Sequence, residues 1–117
     1  MSNPKRCEVV QVRFGQPEGS EQAGTRPVLV ISADLVNEYS PVILVASITS
    51  RKTERVYAFE ALIEPPDGGL LVTSKVSLIQ IRGIDKRRII GHYGSISEDA
   101  MERVEAALRV ATGLTGD

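Results

Sequence analysis

The sequence predicts an α+β domain that is mainly β, a small barrel of bent antiparallel sheet with a helix at its C-terminal end. Two observations carry this. Short runs with two-residue periodicity, or of continuous β-branched apolar residues, succeed one another from Glu8 to Gly94 with turn residues between them. Helical spacing takes over only at the C-terminus. Strands and helices do not alternate, which disfavours a doubly wound parallel sheet and favours a bent antiparallel one. At 117 residues the chain reads as one domain spanning 1–117, since domains commonly hold about 100–150 residues.

Taken in order, Glu8 to Phe14 places Val10, Val12 and Phe14 on one face and Gln11 and Arg13 on the other, the pattern of a half-buried strand. A polar loop from Gly15 to Arg26 follows, rich in glycine and without a bulky apolar residue. Long loops in compact domains often carry function. Val28 to Ile31 and Val42 to Thr49 are apolar on both sides and read as buried central strands. Between them, Asp34 to Tyr39 suits a helical turn closed by Pro41. Ser50 to Arg55 is a charged loop. Tyr57 to Ile63 is the next strand, stopped by Pro65-Pro66-Asp67-Gly68-Gly69. Val76 to Ile84 alternates so that Val76, Leu78, Gln80, Arg82 and Ile84 share a face, and Ile89 to Gly94 is a short strand. The helix is expected from Glu98 to Thr112, because Met101, Val104, Leu108 and Ala111 recur at helical spacing. Ser97 is a good N-cap, Glu98 and Asp99 suit the positive end of the helix dipole, and Gly113 suits the stop.

The scarce residues narrow the chemistry. A single Cys, Cys7, excludes an intrachain disulfide and a Cys-based metal site. A single His, His92, excludes a two-histidine nuclease mechanism within one chain and any multi-histidine metal centre. Three Tyr, two Phe and no Trp leave no broad platform for stacking many bases. The net charge of −1 argues against coating a nucleic acid by bulk charge. That charge is unevenly spread: Lys75, Arg82, Lys86, Arg87 and Arg88 face only Asp85 within their stretch, while the C-terminal helix is acidic. No apolar run approaches the ~20 residues of a membrane span, and the N-terminus lacks the apolar core of a signal peptide, so a cytoplasmic protein is expected.

Four places carry candidate chemistry. Gly19-Ser20-Glu21-Gln22-Ala23-Gly24-Thr25-Arg26 superficially resembles a P-loop, but Thr25 and Arg26 stand where Lys and a hydroxyl are needed, and a strand follows. Arg26 can instead offer paired donors to a phosphate, and Glu21 can accept a proton. Thr49-Ser50 ends a buried strand with two hydroxyls. Gln80 and Arg82, with Lys86 and Arg87 beyond them, suit base edges and phosphates. The fourth is His92, a lone histidine beside Tyr93 that reads as structural, since acid–base work needs a partner in reach; Cys7 has nothing nearby to mark it as a nucleophile.

Gly19 to Arg26 with Pro27 and Val28-Leu29-Val30-Ile31-Ser32 resembles the hallmark loop of the MazF/PemK toxins of type II toxin–antitoxin systems. Three further stretches agree in order and spacing: Tyr39-Ser40-Pro41 leading to Ile48-Thr49-Ser50; Gln80-Ile81-Arg82 with Ile84-Asp85-Lys86-Arg87; and Gly94-Ser95-Ile96-Ser97-Glu98. The resemblance implies an SH3-like barrel related to the plasmid toxin CcdB, and a homodimer. It implies cofactor-free, metal-independent, sequence-specific cleavage of single-stranded RNA to 2′,3′-cyclic phosphate and 5′-hydroxyl ends, and a MazE-like antitoxin that blocks the RNA groove.

The resemblance also assigns roles. Arg26 and Thr49 are the catalytic pair, with Glu21 an alternative base because a guanidinium is a poor one. Ser20, Gln22, Thr25, Ser50, Gln80, Arg82, Lys86 and Arg87 are the expected RNA-binding set. Departures from the family pattern are Cys7 for Gly, Arg13 for an acidic or amide residue, Ile79 for an acid, and Gly83 for Thr or Ser. A CcdB-like toxin that binds gyrase without cutting RNA is the alternative.

Overall fold

The computed structural model describes residues 3–14 and 24–114. Its strands are β1 (Glu8–Arg13), β2 (Thr25–Val30), β3 (Val42–Thr49), β4 (Glu60–Ile63), β5 (Ser74–Asp85) and β6 (Ile89–Ser95). Its helices are α1 (Asp34–Tyr39) and α2 (Glu98–Thr112). The strands form one six-stranded sheet in the order β4-β5-β3-β2-β1-β6, antiparallel throughout. The mainly β fold with a C-terminal helix is as expected, although the sheet is bent rather than closed.

Two apolar cores explain the bend. Val9, Leu29, Ala46, Ile48, Ile63, Val76 and Leu78 pack under Met101 and Val104 of α2. Val10, Val12, Val28, Val30, Ile43, Val45 and Ile84 form a second cluster, with Phe14 and Ile89 against it. Neighbouring residues of β1 and β2 therefore point into different cores. Val9 is fully buried, so β1 is buried on both faces where it starts rather than half-buried.

α2 starts and stops as its sequence dictates. Ser97 Oγ accepts from the Ala100 amide at 3.2 Å, and Gly113 ends the helix at φ 75°. The Asp67 carboxylate accepts from the Ser97 amide at 2.8 Å and from its hydroxyl at 2.9 Å. This ties α2 to the short 3₁₀ turn Asp67–Gly69 that follows β4. The turn lies on the backbone of β6: a Cβ on Gly69, at φ 74°, would run into the Tyr93 carbonyl. The two edges of the sheet are thus drawn together by a turn in place of a hydrogen-bonded ladder.

Several boundaries differ from the sequence expectation. β2 begins at Thr25, so Arg26 is a strand residue opposite Val12 and not part of a loop. β4 begins at Glu60 rather than Tyr57, because the Glu60 amide donates back to the Tyr57 carbonyl at 2.9 Å and makes a turn there. β5 is longer than expected and carries a bulge. Ala46 pairs with Ile81 but Ser47 pairs with Ser77, so Leu78, Ile79 and Gln80 stand outside the β3 ladder. An odd insertion reverses the faces. Val76 and Leu78 therefore lie in the core under α2, on the opposite face from Arg82 and Ile84, which stay together on the side of the other core.

Cys7 precedes β1 with φ 81°, a left-handed conformation that favours glycine. Its amide donates to the Val30 carbonyl at 2.9 Å, and its carbonyl accepts from Ile96 at 3.0 Å. These two bonds link β2 to the start of α2 through the backbone of this residue.

Candidate active site

Arg26, Thr49 and Gln80 come from three different strands and line one cleft of about 240 Å³. Phe14, Pro27, Val28, Ser47, Ile48 and Ser77 complete its lining. The sheet register makes this site. Arg26 projects to the same side as Val12, its partner across β1 and β2. Thr49 is the last residue of β3. Gln80 reaches the cleft from the bulge of β5.

Thr49 Oγ1 accepts from the Arg51 amide at 3.1 Å. That bond orients the hydroxyl and leaves its own hydrogen to donate. Arg26 is exposed at the cleft. Arg82 does not line the cleft directly: its guanidinium stands 4.6 Å from the centroid of Phe14, whose ring does. Phe14 and Ser77 were not among the sequence candidates. Phe14 continues the apolar face of Val10 and Val12 straight into the motif loop, a signal that could have marked it. Ser77 is found only through the β5 register.

Other expected residues are placed elsewhere. Ser20, Glu21 and Gln22 lie outside the described residues. Thr25 sits opposite Arg13 and accepts from Gln11 Nε2 at 2.8 Å, one residue from Arg26 on the other face. Ser50 is exposed beside Thr49. Lys86 and Arg87 line a separate cavity of about 340 Å³ with Ile90 and His92. Lys86 Nζ bonds the Asn37 carbonyl at 2.8 Å and Asn3 Oδ1 at 3.1 Å, closing the C-terminal end of α1. The basic stretch is therefore not one solvated patch. Lys75, its first member, is buried against Glu60 at 3.0 Å.

Arg87 pairs with Asp85 through Nε at 3.1 Å and Nη2 at 3.0 Å, and its amide adds a bond at 2.8 Å. These bonds, the side-chain ones foremost, hold the Asp85 carboxyl at about 2, down from 3.8. A depressed carboxyl supports the fold fully above its unfolded pKa, and that support is lost as pH falls through about 2. Arg87→Ala is expected to raise the Asp85 pKa toward the ordinary carboxylate range in an NMR titration, while the residue 87 amide, which still donates, holds it somewhat below that range. A pKa that stays near 2 in this variant would show that Arg87 is not the cause.

The two scarce reactive residues lie apart from the cleft. His92 Nδ1 is 2.8 Å from Glu8 Oε2 on the exposed edge of β6. Burial pushes the Cys7 thiol up from its ordinary value, so thiolate is disfavoured.

The bent sheet presents an arginine, a threonine and a glutamine to one open cleft, an arrangement suited to an anionic ligand. Over residues 5–112 the chain matches the model of the PemK-like, MazF-like toxin of type II toxin–antitoxin systems, and it belongs to that family. It is similar to the solved endoribonuclease in complex with its cognate antitoxin from a mycobacterial species, at 22% identity and a TM-score of 0.79, covering 95% of this chain and 96% of that one. MazF from Deinococcus radiodurans is similar at 26% identity and 0.76, covering 97% and 99%. The Mycobacterium tuberculosis toxin MazF-mt6 is similar at 20% identity and 0.75, covering 91% and 96%. These matches do not favour the gyrase-directed alternative. Among the described residues, no helix is long and apolar enough to cross a membrane.

Proposed function

We propose that this toxin is an endoribonuclease that cuts single-stranded messenger RNA by attack of a 2′-hydroxyl on its own 3′-phosphate. The observation that supports this most is the convergence of Arg26, Thr49 and Gln80, far apart in sequence, on one open cleft. In the reaction the 2′-hydroxyl loses its proton and the O2′–P bond forms. The P–O5′ bond breaks and O5′ takes up a proton. The products are a 2′,3′-cyclic phosphate and a 5′-hydroxyl.

Charge builds on the phosphoryl oxygens during this step. Arg26 meets it with a permanent charge and paired donors, and Thr49 adds one hydrogen bond. Glu21 is the proposed base. Gln80 lines the cleft and is proposed to read a base, with Ser20, Gln22, Thr25 and Ser50 proposed to contact the RNA beyond it, while Arg82 stacks on Phe14 of the cleft wall. Lys86 and Arg87, committed to other partners, belong at most to the outer path of the RNA. The requirement for a 2′-hydroxyl makes DNA inert. The proposed assembly is a cytoplasmic homodimer held in check by a MazE-like antitoxin, as suggested by the antitoxin complex of the mycobacterial relative.

The test is primer extension on a long RNA incubated with the purified protein in EDTA. The expected result is a small set of cuts sharing one sequence, with cyclic phosphate ends. Strict dependence on an added metal ion would overturn the mechanism.

A further inference from the structure

Thr49 of β3 lies directly opposite Lys75 of β5. Opposed residues of an antiparallel pair project to the same side with their Cβ atoms about 4.5–5.5 Å apart. A lysine there would ordinarily extend into water, yet Lys75 is only 6% exposed. Its Nζ stands 3.0 Å from Glu60 Oε1 and donates to the Arg55 carbonyl at 2.8 Å. It also lies 5.9 Å from the centre of the Tyr57 ring. The same Glu60 oxygen accepts from the Tyr57 amide at 3.0 Å.

One ammonium thus gathers the far half of the connection from β3 to β4. That connection begins at Ser50, immediately after Thr49, and its Arg51 amide is the donor that orients the Thr49 hydroxyl. A turn from Lys52 to Arg55, closed at 3.3 Å, joins the two halves. A buried ion pair contributes little beyond what well-packed apolar residues would provide. Stability alone does not account for one at this position.

We propose that Lys75 is a positioning residue. By holding Glu60 and the Arg55 carbonyl, it fixes the connection that aims the Thr49 hydroxyl into the cleft. The inference rests on the ribonuclease reading for its kinetic part only.

The test is the full chain carrying Lys75→Met and Glu60→Leu together. Replacing a buried pair by apolar residues keeps or raises thermal stability in many proteins, so Tm is expected near that of the wild type. On a short single-stranded RNA, kcat is expected to fall by about 10-fold to 10²-fold, with KM nearly unchanged. Trypsin, which cuts after Arg51, Lys52 and Arg55, is expected to cleave the connection faster, a readout that needs no RNA. A folded double variant with wild-type kcat and wild-type trypsin resistance overturns the proposal. If the double variant does not fold, Glu60→Gln is read in the same two assays, where it keeps the Tyr57 bond and removes only the charge. Unchanged behaviour there overturns the proposal equally. A wild-type protein that cuts no RNA would instead refute the ribonuclease reading, while the trypsin result would still report on the clamp.

Discussion

Replacing Arg26 by alanine is expected to lower kcat for RNA cleavage by about 10²–10³-fold, the usual cost of removing a donor aimed at developing negative charge. The fold is expected to survive. Arg26 is exposed, and its place in the β1–β2 ladder depends on backbone groups that alanine keeps. Surface changes of this kind usually alter stability by no more than about 0.5 kcal/mol. Arg26→Lys is informative beside it, because lysine keeps the charge and loses the planar pair of donors. An intermediate loss would assign part of the effect to geometry and part to charge. The measurement is single-turnover cleavage at saturating protein, with thermal unfolding as the control. Full activity in the alanine variant would remove Arg26 from the chemistry and leave Thr49 and the motif loop to account for it.

Among the described glycines, Gly69 is expected to tolerate alanine least. Gly69 has φ 74°, where any side chain is strained, and its Cβ would overlap the Tyr93 carbonyl, a backbone atom that cannot rotate aside. Gly94 approaches from the other side, its own Cβ position 3.1 Å from the Gly68 carbonyl carbon. Relief requires the turn and β6 to separate, which also pulls on the Asp67–Ser97 bonds that start α2. A loss of about 3–4 kcal/mol is expected, in the range reserved for backbone strain and overpacking. For a domain of this size that is a fall in Tm on the order of 12–16 °C. Gly113→Ala is the matched control. It has a similar φ of 75° with nothing within 4 Å of its Cβ position, so it carries the strain without the collision. Equal losses in the two variants would show that the close approach of turn and strand contributes nothing.

The helix was legible in the sequence to its last residue because its signals are local. Ser97, the acidic first turn and Gly113 each act within one turn of where they stand. The strands were legible as apolar runs, and their approximate ends followed from Gly and Pro. What a single sequence hides is pairing. The bulge in β5 depends on how Ser74–Asp85 meets β3, and nothing within the run itself announces the change of register between Ala46 and Ser47. Treating Val76 to Ile84 as one uninterrupted alternation therefore put Val76 and Leu78 on the wrong side. Charge counting failed at Lys75 for a related reason, since its partner Glu60 belongs to another strand. At the cleft, Arg26, Thr49 and Gln80 were singled out from motif residues. Phe14 and Ser77 joined them only once the strands were laid side by side.

β5 is also a mechanical element of the fold. Its first half packs beneath α2 and its second half packs in the other apolar cluster, while the same strand bridges β4 and β3. Neither core can loosen without pulling on a strand that the other core needs. The two halves of the molecule are therefore expected to melt as one cooperative unit, in contrast to proteins whose segments open piecemeal. The cleft lies on the strands shared by both cores. The paired amides of β2 and β3 beside it are expected to exchange only when the whole fold opens.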